Sequence, residues 1–211
     1  MKNIFLKSIL LFFFGTQFLV ANNIVNQGFI ELKKENTLEA LNLFTKACNN
    51  GAYSGCYNLG LIYFQGKKIE KNYPKAIESF TKACDQGHSK ACYNLAYMYQ
   101  KGLGVSKNLS KSIKLYEFTC NDNIAAGCYN LANMYKDGEG VNQDSLNAAQ
   151  LYQKSCDLGH SKACYNLGIM YMGDDLFKKD YNKTLELFTR ACEMNYGIAC
   201  KEKTKLEESI K

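Results

Sequence analysis

Ten cysteines constrain this chain more than any other feature. They fall in two series, at 48, 84, 120, 156 and 192 and at 56, 92, 128, 164 and 200, each advancing by 36 residues without a gap. Self-similarity at one fixed period of this size marks a repeat architecture, in which each unit buries its apolar face against its neighbours. In that register the copies run 37–72, 73–108, 109–144, 145–180 and 181–211.

The other columns predict a pair of helices per copy. Leu41, Ile77, Ile113, Ala149 and Leu185 stand three residues before Phe44, Phe80, Tyr116, Tyr152 and Phe188, with Ala47, Ala83, Thr119, Ser155 and Ala191 three further on. Apolar positions at that spacing form one helix face. The column Gly51, Gly87, Asn123, Gly159, Asn195 admits only residues that tolerate a left-handed backbone, so the first helix ends there. A second helix starts at Gly55, Ala91, Gly127, Ala163 and Ala199, carries Cys-Tyr-Asn-Leu in four copies, and reaches Gly66, Gly102 and Gly138. In the fourth copy Gly173-Asp174-Asp175 blurs that loop. The fifth replaces Tyr-Asn-Leu with Lys201-Glu202-Lys203, a polar face suited to a terminal cap. Residues 22–36, with Ile24, Val25, Phe29, Ile30 and Leu32, read as a capping helix before the first copy.

The N-terminus opens with Met1-Lys2-Asn3 and Lys7, followed by an apolar stretch from Ile9 to Val20 and a cleavage point at Ala21. This is the pattern of a signal peptide, 1–21, too short to span about 30 Å of hydrocarbon. It predicts a periplasmic or secreted protein with no membrane insertion after cleavage. Losing Lys2 and Lys7 lowers the formal charge from +6 to +4 without a basic block, so neither nucleic acid nor an anionic membrane is indicated as partner. The single Pro and the lack of low-complexity tracts predict one domain.

Cysteines eight apart in one continuous helix would lie about 12 Å apart, beyond the reach of a disulfide. The chain reverses between them at the Gly/Asn column, so each Cys-x7-Cys reads as a bridge across a helix pair: Cys48–Cys56, Cys84–Cys92, Cys120–Cys128, Cys156–Cys164 and Cys192–Cys200. Pairing between neighbouring copies, such as Cys56 with Cys84, stays open. Zinc does not fit the spacing, and the two histidines, His88 and His160, fall in one exposed turn column. No metal or cofactor is expected.

An Ala-rich helix, a Gly turn, Leu-Gly or Leu-Ala before Tyr, and a loop such as Lys101-Gly102-Leu103-Gly104-Val105 together resemble the Sel1-like repeat family, relatives of tetratricopeptide repeats. With Cys-x7-Cys in every copy, residues 22–211 resemble its cysteine-rich subgroup, the Helicobacter cysteine-rich proteins. The resemblance implies an all-α, right-handed α/α solenoid of disulfide-bridged helix pairs, exported from the cytoplasm. It also implies slow β-lactamase or penicillin-binding activity.

That chemistry needs an activated serine, an oxyanion hole and a second basic motif. The one Ser-x-x-Lys is Ser79-Phe80-Thr81-Lys82, without Lys-Thr-Gly. Lys82 aligns with Lys46, Lys154 and Arg190 as a surface residue, whereas Ser79 stands where the other copies have Leu43, Leu115, Leu151 and Leu187. Ser79 and Lys82 are therefore the only catalytic nominees; the repeat columns account for the match without catalysis, Ser79 being either a small residue tolerated in a packed column or a hydroxyl opened to a groove.

Binding candidates follow from the repeat. Asn58, Asn94, Asn130 and Asn166 form a polar ladder inside apolar helices, placed either to meet a peptide backbone or to bond internally. The tyrosines at 57, 93, 129 and 165 and at 63, 99, 135 and 171 read mostly as packing with hydroxyls reaching the edge, the alternative being that some line a peptide groove. Lys75, Glu78, Lys82, Lys111, Lys114, Lys154 and Lys183 give the first-helix face a mild basic bias. Asp180-Tyr181-Asn182-Lys183-Thr184 resembles the extended acceptor of bacterial N-glycosylation, at Asn182. The expected protein is a monomeric scaffold binding a protein or extended peptide on its concave face, with a β-lactam or cell-wall peptide as the alternative ligand.

Overall fold

A computed structural model describes residues 20–173 and 179–210; residues 1–19, which hold most of the expected signal peptide, residues 174–178 of the fourth loop and residue 211 lie outside the described residues. The described residues are helical, with no strand among them, and the chain divides into two compact units between Lys107 and Asn108. The division falls one residue from the boundary between the second and third copies in the cysteine register.

The first unit holds α1 (20–33), α2 (Thr37–Asn49), α3 (Tyr53–Gln65), α4 (Tyr73–Cys84) and α5 (Ser89–Lys101). The second holds α6 (Leu109–Asn121), α7 (Ala125–Asp137), α8 (Ser145–Asp157), α9 (Ser161–Tyr171), α10 (Tyr181–Glu193) and α11 (Gly197–Ser209). Each disulfide joins the end of one helix to the start of the next: Cys48 to Cys56, Cys84 to Cys92, Cys120 to Cys128, Cys156 to Cys164, and Cys192 to Cys200, with Cα separations of 4.5–4.8 Å. Between them, Gly51, Gly87, Asn123, Gly159 and Asn195 all take positive φ, and the reversal is made in a few residues.

The periodic aromatic column fills the core. Phe44, Phe80, Tyr116, Tyr152 and Phe188 are completely buried. Each contributes on the order of 1.5–3 kcal/mol of apolar burial. Packing is most extensive between the second helix of one copy and the first of the next, α3 on α4, α7 on α8 and α9 on α10, rather than within disulfide pairs. Close approach there depends on small residues: a Cβ on Gly60 would stand 2.6 Å from the Phe80 ring, and one on Gly168 2.8 Å from Phe188.

Residues 20 and 21 are already helical, ahead of the predicted cap at 22–36. Nothing in Val20-Ala21-Asn22 breaks a helix, and Ala21 is completely buried beside Ile24 and Val25. Phe29 meets the buried Phe44 ring of the first copy edge-on, with centroids 5.4 Å apart, while 42% exposed, and Ile30 is 51% exposed.

Candidate functional site

The first helix of each copy turns its columns of small and aromatic residues inward and its charged positions outward. On α4, Ala76, Ser79, Phe80 and Ala83 are buried, while Lys75, Glu78 and Lys82 are exposed. On α6, Lys111 and Lys114 are exposed in the same way; on α8 and α10, Lys154 and Lys183 are half-buried. Lys82 pairs with Glu78 at 2.8 Å, and Lys183 with Glu186 at 2.9 Å, so much of the basic bias is neutralised locally. The Lys82 hydrogen bond holds the Glu78 carboxyl below its usual range.

The two residues of the Ser-x-x-Lys motif are committed elsewhere. Ser79 is 5% exposed and its Oγ donates to the Lys75 carbonyl at 2.8 Å. An ammonium held by a carboxylate has no lone pair with which to take a proton, so Lys82, as placed, offers Ser79 no base.

The asparagine ladder is half-buried throughout and engaged inside the molecule. Asn130 Nδ2 donates to the Tyr116 hydroxyl at 3.1 Å, and Asn166 bonds the Tyr152 hydroxyl, which also donates to Asn133 Oδ1. In the copies whose first helix carries Phe, no such hydroxyl exists: Asn94 bonds Tyr57, and Asn58 donates to the Ser54 carbonyl of its own helix at 2.7 Å. Burial pushes the Tyr57 and Tyr152 hydroxyls up in pKa, and the asparagine bonds oppose it.

His88 and His160 are partly buried, not exposed as their turn position suggested. Each lies under a tyrosine of the preceding copy, His88 stacked on Tyr57 with ring centroids 4.4 Å apart and His160 on Tyr129 at 4.3 Å. Tyr196 takes the same column against Tyr165. Burial lowers both imidazole pKa values. His88 Nδ1 accepts from Ala91 N as the cap of α5, whereas His160 Nδ1 is buried without a hydrogen-bond partner among the described residues.

A further column was missed. Asn72, Asn108, Asp144 and Asp180 each cap the next helix, the side-chain oxygen accepting from the backbone N–H of Lys75, Lys111, Asn147 and Lys183 at 2.9–3.0 Å. The 36-residue spacing of these Asn and Asp residues was the available signal. The acid ahead of Asn182 is thus a helix cap. Asn182 itself is exposed, but Thr184 is completely buried, its Oγ1 2.9 Å from the Asp180 carbonyl and 3.2 Å from that of Gly168. An enzyme that reads Asn182 together with the Thr184 hydroxyl meets both only before α10 docks.

No described helix is long and apolar enough to cross a membrane, and no cluster of three or more metal-ligating side chains occurs among the described residues.

The model of the Sel1 repeat matches residues 17–51, 54–88, 89–123, 125–160 and 161–196. Its spans are phased half a repeat from the cysteine register, so that one span takes in α3 and α4 and the first takes in α1 and α2. Over 52 residues, a quarter of its length, the chain is 40% identical to HcpC of Helicobacter pylori, a protein named as a candidate β-lactamase; that stretch is 18% of HcpC. Among solved structures, c5321, a protective antigen of uropathogenic Escherichia coli strains with an SLR fold, superposes at TM-score 0.81 with 29% identity over 88% of this chain and 41% of its own. Cysteine-rich protein B of Helicobacter pylori matches at TM-score 0.50 and 29% identity, over 62% of this chain and 94% of its own.

Proposed function

Because this chain belongs to the Sel1 repeat family, whose members mediate protein–protein interactions, we propose that it is an exported scaffold that binds a protein or extended peptide along the outward side of its first helices, without turnover. One observation carries the reading. From copy to copy the inward columns keep to small, aliphatic or aromatic residues without charge, whereas outward ones change their charge: the position of Lys75 is Glu39, Lys111, Asn147 and Lys183 elsewhere, and Phe118 replaces the cation that Lys46, Lys82, Lys154 and Arg190 place in one column. A constant core under a varied surface suits a molecule whose specificity lies in exposed side chains. The asparagine ladder supports this surface from behind by fixing tyrosine hydroxyls. Five disulfides fit an oxidising compartment such as the periplasm or the medium.

The test immobilises the oxidised protein and exposes it to the periplasmic and secreted fractions of its own host. A partner released by free protein is expected, with capture lost in Lys75→Glu/Lys82→Glu and kept in Lys90→Glu/Lys162→Glu. Loss in the second pair alone would place binding on the second helices and overturn the reading.

A further inference from the structure

Where the other four copies carry leucine, α4 carries Ser79, and a cavity of about 180 Å³ opens beside it. Such a volume lies below the roughly 300–1,000 Å³ of pockets that enclose a whole small molecule, so it admits a single residue or fragment. Leu59, Tyr63 and Cys48 give it an apolar lining, and Asn49, Lys75 and Lys82 bring donors to it. Lys75 Nζ lies 5.3 Å from the centroid of the Tyr63 ring, and Lys82 shares Glu78. Two cations against one carboxylate leave the rim positive. The Ser79 proton is already given to the Lys75 carbonyl. The donors that remain call for an acceptor, and the charge calls for an anion.

The last copy shows what this position holds when the chain supplies it. Arg190, in the column of Lys82, donates to Asp157 Oδ1 at 2.9 Å and approaches the Cys156 carbonyl at 3.5 Å. Asp157 occupies the column of Asn49, and Leu187, completely buried, occupies that of Ser79. Partial burial works to raise the Asp157 pKa, but hydrogen bonds from Gln153 and Arg190 hold it below the usual carboxylate range. At α4 the column of Asp157 holds the neutral Asn49 and the leucine plug is gone, so Glu78, which also lines the cavity, is the one carboxylate set against Lys75 and Lys82.

We infer that the Ser79 cavity binds a carboxylate carried by an extended peptide, either the C-terminal carboxylate or an Asp or Glu side chain, with the aliphatic part of that residue against Leu59 and Tyr63. The inference rests on the scaffold reading and adds the chemistry of the ligand. Lys75 and Asn49 grip the carboxylate; Ser79 serves by being small.

The test follows backbone amide resonances of the oxidised, isotope-labelled protein with three probes: N-acetyl-leucine, N-acetyl-leucinamide and N-acetyl-aspartamide with a free side-chain carboxylate. Saturable shifts at Asn49, Lys75 and Ser79 are expected with a carboxylate probe and absent with leucinamide. Response to N-acetyl-leucine alone identifies a chain terminus, and to the aspartamide alone a side chain. Affinity should fall at least five-fold in Ser79→Leu, a residue four other copies already accommodate, and in Lys75→Gln. Equal shifts with leucinamide, no shifts at these residues, or undiminished binding by Ser79→Leu would overturn the inference. If Ser79→Leu still captures the host partner while the cavity stays silent, the cavity assignment fails and the scaffold stands; saturable carboxylate binding without any host partner reverses that outcome.

Discussion

Phe80 and Tyr152 occupy one column of the repeat, yet the single oxygen between them redirects the asparagine behind it, toward Tyr57 in one copy and toward Tyr152 itself in the other. Removing such an oxygen should register: Tyr116→Phe takes away the 3.1 Å partner of Asn130 and is expected to lower stability by about 1 kcal/mol in denaturant unfolding, with no change in m-value. Ser79 belongs to the same kind of argument. With its proton on a carbonyl and Lys82 on a carboxylate, intact-mass spectrometry after benzylpenicillin treatment should find no acyl adduct; a stoichiometric adduct lost in Ser79→Ala would reveal a nucleophile. The two histidines set a pH dependence whose sign follows from burial. Each folded pKa lies below the ordinary value of about 6.5, so the unfolded chain takes up protons first. Stability is complete above about pH 6.5 and declines as the pH falls from there toward the folded values. Thermal unfolding from pH 7.5 to 5 should show the decline, and His88→Asn/His160→Asn should flatten it while keeping a side chain able to cap. At this scale the sequence was partly legible. The odd Ser79 stood out against four leucines, but the histidines were misplaced in solvent, because the tyrosine that covers each comes from the preceding copy.

Helices were the most legible level. Spacing of three and four residues, the Gly/Asn turn and the glycine after each second helix located the pairs, and Gly66, Gly102 and Gly138 do terminate α3, α5 and α7 in the left-handed conformation. The relative importance of the interfaces was not legible. Cysteines draw attention to the pair they bridge, while the more extensive packing runs from each second helix to the next copy, where Gly60 and Gly168 let rings approach. Gly60→Ala should therefore cost about 1–3 kcal/mol by crowding Phe80, measured as a loss of unfolding midpoint. A bridge closing so short a loop contributes about 2.5 kcal/mol in the chain-entropy model. Cys84→Ser/Cys92→Ser should lose a comparable amount and remain helical by circular dichroism, since α4 keeps its packing on α3.

At the scale of the whole molecule, the 36-residue period foretold a repeat protein, and the Sel1 repeat is what the chain carries. Period alone does not say where one repeat ends: the cysteines suggest one phase and the family model another, because a stack of alternating helices has no privileged cut. The partner was also beyond reach, since the exposed positions proposed to bind it differ between copies and leave no periodic trace. Site-specific photo-crosslinking in the native host tests the central claim without knowing that partner. A photoreactive phenylalanine analogue would be placed one position at a time at Lys75 and Lys111 on first helices and at Lys90 and Lys162 on second helices, all four exposed. The account predicts a discrete adduct from the first-helix positions only; adducts from Lys90 and Lys162 with none from Lys75 and Lys111 would contradict it.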